Sequence, residues 1–131
     1  MKLSGLTLET VYFEDYLAFL TEVLELDVVE LTDISMRIDL QGTWLEILKV
    51  PSAPHQVASN VEFSLDAGEF EDLKHKVSFF YYRKGPSRFL YLGAHPDKCE
   101  VVDPDGRVWR FKNNTHLLIP ASNDPSFVRN F

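Results

Sequence analysis

Few side chains in this 131-residue sequence are of the types that do chemistry, and their spacing narrows them further. The histidines are His55, His75, His95 and His116. None forms an i, i+4 ligand pair on a helix, so surface positions are expected for them rather than a metal or switch role. Cys99 is the single cysteine. A structural thiol is expected there rather than a nucleophile. Neither a glycine-rich phosphate loop nor a G-x-S-x-G turn is present. What remains is a set of polar residues in segments that alternate like strands: Thr7, Glu9, Glu46, Asn60, Glu62 and Arg110, with Trp44 two residues before Glu46. A carboxylate can act as base or ligand anchor, a guanidinium can hold an oxyanion, and an indole can wall a flat ligand.

The elements that must position these groups follow from periodicity. Residues 3–10 set Leu6 and Leu8 against Gly5, Thr7 and Glu9, the alternation of a half-buried strand. Glu14-Asp15 opens an amphipathic helix through Tyr16, Leu17, Leu20, Val23 and Leu24. Strands are expected at Val28–Leu31, Ser35–Leu40 and Thr43–Val50, the last with Leu45 and Ile47 opposite Trp44, Glu46 and Leu48. Pro51 and Pro54 mark residues 51–59 as a linker. The order then repeats. Asn60–Leu65 alternates, and a helix runs from Asp66–Gly68 through Phe70, Leu73 and Val77 to about Tyr82. Strands follow near Arg88–Leu92, Lys98–Val102 and Arg107–Lys112, the last two joined by the turn Asp103-Pro104-Asp105-Gly106. Trp109 and Phe111 should face the helices. The aromatic run Phe79 to Tyr82 reads as core, and an exposed part of it would read as a partner surface. One domain is expected over residues 1–114, with modules 3–50 and 60–112. Residues 115–131 would form a tail or dimer arm.

A formal charge of −7, with basic residues only in short spots such as Arg83-Lys84, makes nucleic acid and anionic membranes poor partners. No apolar stretch approaches 18 residues. Met1 to Gly5 lacks the apolar run of a secretory signal, so a cytoplasmic location is expected, and a lone cysteine is compatible with it.

The repeated order, together with three strings, resembles the glyoxalase/bleomycin-resistance/dioxygenase, or vicinal oxygen chelate, superfamily. Residues Phe19 to Val29 resemble the family's first helix running into its second strand. Leu45-Glu46-Ile47-Leu48 resembles the strand closing the first half, and Val102 to Phe111 the final hairpin with its D-P-D-G turn. The resemblance implies an α+β fold in which two βαβββ modules form an eight-stranded curved sheet, a cup with helices outside, commonly in a homodimer. It also implies four metal-ligand positions, which fall at Gly5, Glu46, Asn60 and Arg110. Only Glu46 matches a good ligand. Glycine offers no side chain, amide oxygen is weak, and a guanidinium brings positive charge to the place of the ion. No metal and no cofactor is therefore expected. Glu46 and Arg110 should instead form an ion pair at the centre of the cup, unless Arg110 bends to solvent.

The resulting expectation is a metal-free small-molecule-binding protein. Its ligand site would comprise Glu46, Arg110, Asn60, Trp44, Glu62 and Thr7, with Glu9 near the mouth. Two alternatives stand beside it. One is a lyase or isomerase with Glu46 as base and Arg110 stabilising negative charge. The other is a structural or regulatory dimer module with a collapsed cavity.

Overall fold

The computed structural model describes residues 1–53, 60–84 and 88–114. The histidines His55 and His116, most of the linker and the tail 115–131 lie outside them. Strand β1 is Gly5–Thr10, and helix α1, Phe13–Ala18, continues as a π-helical turn over Phe19–Val23. Strands β2 (Val28–Leu31), β3 (Ser35–Leu40) and β4 (Thr43–Lys49) complete the first module. The second comprises β5 (Asn60–Leu65), α2 (Ala67–Lys84), β6 (Leu90–Ala94), β7 (Lys98–Val102) and β8 (Val108–Asn113).

The π turn is the main local departure from the expected first helix. The Thr21 hydroxyl donates to the carbonyl of Leu17 at 2.6 Å, and such a back-bond loosens the ladder at that point. The wider turn aims Phe19, Leu20 and Val23 into the core together. Glu25, at φ 54°, then ends the helical path. Helix α2 starts in a reciprocal capping box. Glu69 donates its amide to Asp66 Oδ1 at 2.8 Å, and Asp66 donates its own to Glu69 Oε1 at 3.0 Å. The helix runs two residues past the expected end. Of the aromatic run, Phe79 is exposed while Phe80 and Tyr81 are half-buried.

The eight strands come as two four-stranded sheets, ordered β1-β4-β3-β2 and β5-β8-β7-β6, rather than as one continuous sheet. In each, the module's first and last strands are parallel neighbours and the other pairs are antiparallel. Alternation decides the faces. Leu8, Met36, Ile38, Leu45 and Ile47 of the first sheet are buried in the same apolar cluster as Val61, Cys99, Val101, Trp109 and Phe111 of the second. Helical residues fill the space between. Phe19 stacks on Phe89 with ring centroids 4.3 Å apart, and Tyr16 meets Phe89 edge-on at 5.0 Å. Both sheets thus bury their apolar faces in one cluster shared with the helices.

A buried polar clasp crosses the same layer. Arg107 Nη1 donates to Asp103 Oδ2 at 3.3 Å, to Asp105 Oδ2 at 3.4 Å and to the Tyr16 hydroxyl at 3.0 Å. Its Nη2 donates to the carbonyl of Glu9 in β1 at 3.0 Å. Tyr16 donates to Asp105 Oδ2 at 2.6 Å, and Trp109 Nε1 to Asp103 Oδ2 at 2.9 Å. The D-P-D-G turn expected from sequence thus also ties the last hairpin of the second module to β1 and α1 of the first. Burial, then the hydrogen bonds and charges of Asp103 and Asp105, push the Tyr16 phenol far above the ordinary tyrosine range.

Candidate functional site

The polar faces carry the residues singled out by sequence. On the first sheet, Thr7 of β1 lies opposite Glu46 of β4, which lies opposite Arg37 of β3. Thr7 donates its hydroxyl to Glu46 Oε1 at 3.0 Å, and Arg37 Nη2 stands 4.0 Å from Glu46 Oε2. On the second sheet, the equivalent row runs Glu62 of β5, Arg110 of β8 and Glu100 of β7. Arg110 donates through Nε to Glu100 Oε2 at 2.6 Å and through Nη1 to Glu62 Oε1 at 3.3 Å. Lys112 Nζ adds a contact of 3.8 Å to Glu62. The Arg110 hydrogen bond holds the Glu100 carboxyl below the usual glutamate range. The rows have inverted charge. A carboxylate sits on the central strand of one with a guanidinium beside it, and a guanidinium sits on the central strand of the other between two carboxylates.

This corrects one expectation. Glu46 and Arg110 form no ion pair with each other within the chain. Each is satisfied by strand neighbours on its own sheet. A strand neighbour lies only about 5 Å away, which makes it the nearer partner. Arg37 and Glu100 were not singled out from sequence. The signal was there in the alternation, since both share the parity of the polar face, but their cross-strand partners depend on register.

Trp44 and Gly5 are directly opposite in β4 and β1. The indole lies flat over the glycine, so closely that a Cβ there would meet ring atoms Cδ2, Cε2 and Cε3 at 1.9, 2.1 and 2.3 Å. The Arg37 guanidinium lies over the same ring, 4.3 Å from its centroid. Packed against the Gly5 backbone and the Arg37 guanidinium, Trp44 is a half-buried floor of this sheet face. Arg37 Nε is buried without a hydrogen-bond partner. Gly5→Ala is expected to destabilise the chain by about 1–3 kcal/mol, the cost of overpacking, when followed by urea unfolding. In the Trp44→Ala background the same change should cost much less, because the three nearest atoms all belong to that ring.

The four metal-ligand positions implied by resemblance do not suit a divalent ion. The space above Gly5 is filled by indole. Glu46 is held by Thr7 and Arg37. Asn60 is an exposed strand start opposite Val108, and Arg110 brings a cation. Elsewhere, His75 and His95 are exposed. Glu9 is exposed, and Glu62 lies at a half-open rim.

Cys99 is fully buried, and burial pushes its thiol up to about 11. It stays protonated at neutral pH. Alkylation by iodoacetamide should be slow in the native chain at pH 8 and fast in urea; equal rates would contradict the burial. Because the folded value lies above the unfolded one of about 8.5, the contribution of this thiol to stability is whole below that range and declines as pH rises towards 11.

Two crevices among the described residues, one lined by Leu24, Leu40, Phe63 and Phe111 and one by Phe13, Leu17 and Leu31, do not include Glu46, Arg110, Asn60, Trp44, Glu62 or Thr7. Of these six, Thr7, Asn60 and Glu62 are exposed and Trp44, Glu46 and Arg110 are half-buried. No helix of the described residues is long and apolar enough to cross a membrane.

No family model and no curated protein matches the sequence. Solved structures do match in fold. The genomically encoded fosfomycin resistance protein FosX from Listeria monocytogenes superposes with a TM-score of 0.65 at 13% identity, over 89% of this chain and 94% of that one. A glyoxalase-related enzyme from Fulvimarina pelagi gives 0.60 at 18% identity, over 87% and 88%. A glyoxalase/bleomycin resistance protein/dioxygenase family enzyme from Burkholderia phytofirmans PsJN gives 0.62 at 15%, over 86% and 98%. One FosX structure is complexed with Mn(II) and 1S,2S-dihydroxypropylphosphonic acid. The chain has the vicinal oxygen chelate fold, and its two βαβββ modules are those of that fold.

Proposed function

We propose that this chain is a metal-free small-molecule-binding protein whose site is completed by a second copy. The observation that carries the reading is the pair of charge-inverted rows, Thr7–Glu46–Arg37 and Glu62–Arg110–Glu100. In a two-fold dimer the first sheet of one copy faces the second sheet of the other, twice over. Glu46 then opposes Arg110 of the second copy, and Arg37 opposes its Glu100. Like charges are kept apart in both rows, which favours this pairing over sheets of the same kind meeting. The cup so formed is lined by Glu46, Thr7 and Trp44 from one copy and by Arg110, Asn60 and Glu62 from the other. It would hold a small polar or partly aromatic molecule.

The filled space above Gly5 and the cation at Arg110 support the metal-free part of the reading. Thermal unfolding with Mn(II), Ni(II) or Zn(II), against a panel of small metabolites, tests it. A ligand at about 100 times its Kd adds roughly 2.7 kcal/mol, a shift of several degrees in Tm for a chain of this size. A metabolite should give that shift, and Glu46→Gln should reduce it. A shift with Mn(II) that disappears in Glu46→Gln would contradict the reading.

A further inference from the structure

We infer that the crevice between the two modules, at the end of the molecule where the β3–β4 turn meets β5 and α2, binds a small organic cation with an apolar body. Its volume is about 560 Å³, within the range of small-molecule sites. Leu24, Leu26 and Leu40 of the first module and Phe63, Leu65 and Phe111 of the second form the apolar walls. A concave apolar surface of this size favours an apolar occupant.

The rim sets the sign of that occupant. It carries Asp39, Glu69 and Asp72 against a single cation, Lys76. Lys76 is already engaged, donating to Glu25 Oε1 at 2.6 Å and ion-paired to Asp72 Oδ2 at 2.8 Å. Glu69 uses one oxygen for the helix cap. The Asp39 carboxylate has no hydrogen bond or ion pair among the described residues, and it stands at the mouth of the apolar space. An ammonium group would meet Asp39 and the second Glu69 oxygen, while an anion would meet carboxylates and, among the described lining residues, only the engaged Lys76. The site shares no residue with the composite cup, so the two readings succeed or fail separately.

Titration calorimetry of the full chain with hexyltrimethylammonium and with hexanesulfonate tests the inference. The ammonium should bind and the sulfonate should not. Asp39→Lys should weaken the ammonium about tenfold, the loss of one favourable ionic contact and the gain of a repulsive one. Ser64→Trp, an exposed lining position, should block it, and Glu46→Gln should leave it unchanged. Equal binding of both probes, no binding of the ammonium, or insensitivity to Asp39→Lys and Ser64→Trp would overturn it.

Discussion

Arg107→Met is expected to remove about 3–5 kcal/mol of stability, the usual cost of breaking a buried ion pair by deleting one partner. The reason is geometric. The Arg107 side chain is 5% exposed, and the Asp103 and Asp105 side chains it pairs with are 0% and 3% exposed. Without the guanidinium, two carboxylates stay buried side by side, with only the Tyr16 and Trp109 protons and backbone amides to meet them. The Glu9 carbonyl also loses its donor. Urea unfolding measures the loss, and a domain of this size has little stability to spare. Arg88→Met is the control, because Arg88 is solvent-exposed, lies outside the proposed cup, and its pair with Asp15 is screened. If the two variants were equally stable, the clasp would not be what joins the modules. Alkaline pH should act on the same clasp. The Tyr16 phenol is raised in the folded chain, so its contribution is whole below the ordinary tyrosine value and lost as pH climbs past it.

The second large effect concerns association. If the Glu46 row of one copy meets the Arg110 row of another, Glu46→Arg sets a new guanidinium against Arg110 in both halves of the two-fold interface. Arg110→Glu likewise sets a new carboxylate against Glu46. Juxtaposed like charges cost several kcal/mol in an interface, so each single reversal should weaken self-association by on the order of a hundredfold or more. Raising the salt should blunt the effect.

Much of the scaffold was legible because its signals are local. Asn60–Leu65 and Lys98–Val102 follow from strict alternation, and Trp109 and Phe111 were placed in the core by the same parity. The helix start expected at Asp66–Gly68 holds, and the structure adds the capping box of Asp66 and Glu69 there. Less legible was whatever depends on distant chain. Thr21 looks like one more helical residue until its back-bond to Leu17 is seen beside a π turn. The site was half legible. Glu46, Thr7, Glu62 and Arg110 do lie on polar sheet faces, yet the ion pair expected between Glu46 and Arg110 is replaced by Arg37 and Glu100, the cross-strand neighbours that register supplies. Gly5 shows no side chain to read. Only the structure reveals that its emptiness is what lets Trp44 lie down. The Asp103–Arg107 clasp looked like a turn because its partners Tyr16 and Glu9 are far off in the chain.

The composite cup is tested most directly by mixing the two reversed chains and measuring mass by sedimentation velocity. Glu46→Arg and Arg110→Glu should each sediment as monomers alone. Mixed in equal amounts they should form a heterodimer, since one interface half then pairs Glu46 with Arg110 and the other pairs the two replacements. Monomers in the mixture, or dimers of either single variant as stable as the parent, would contradict the account.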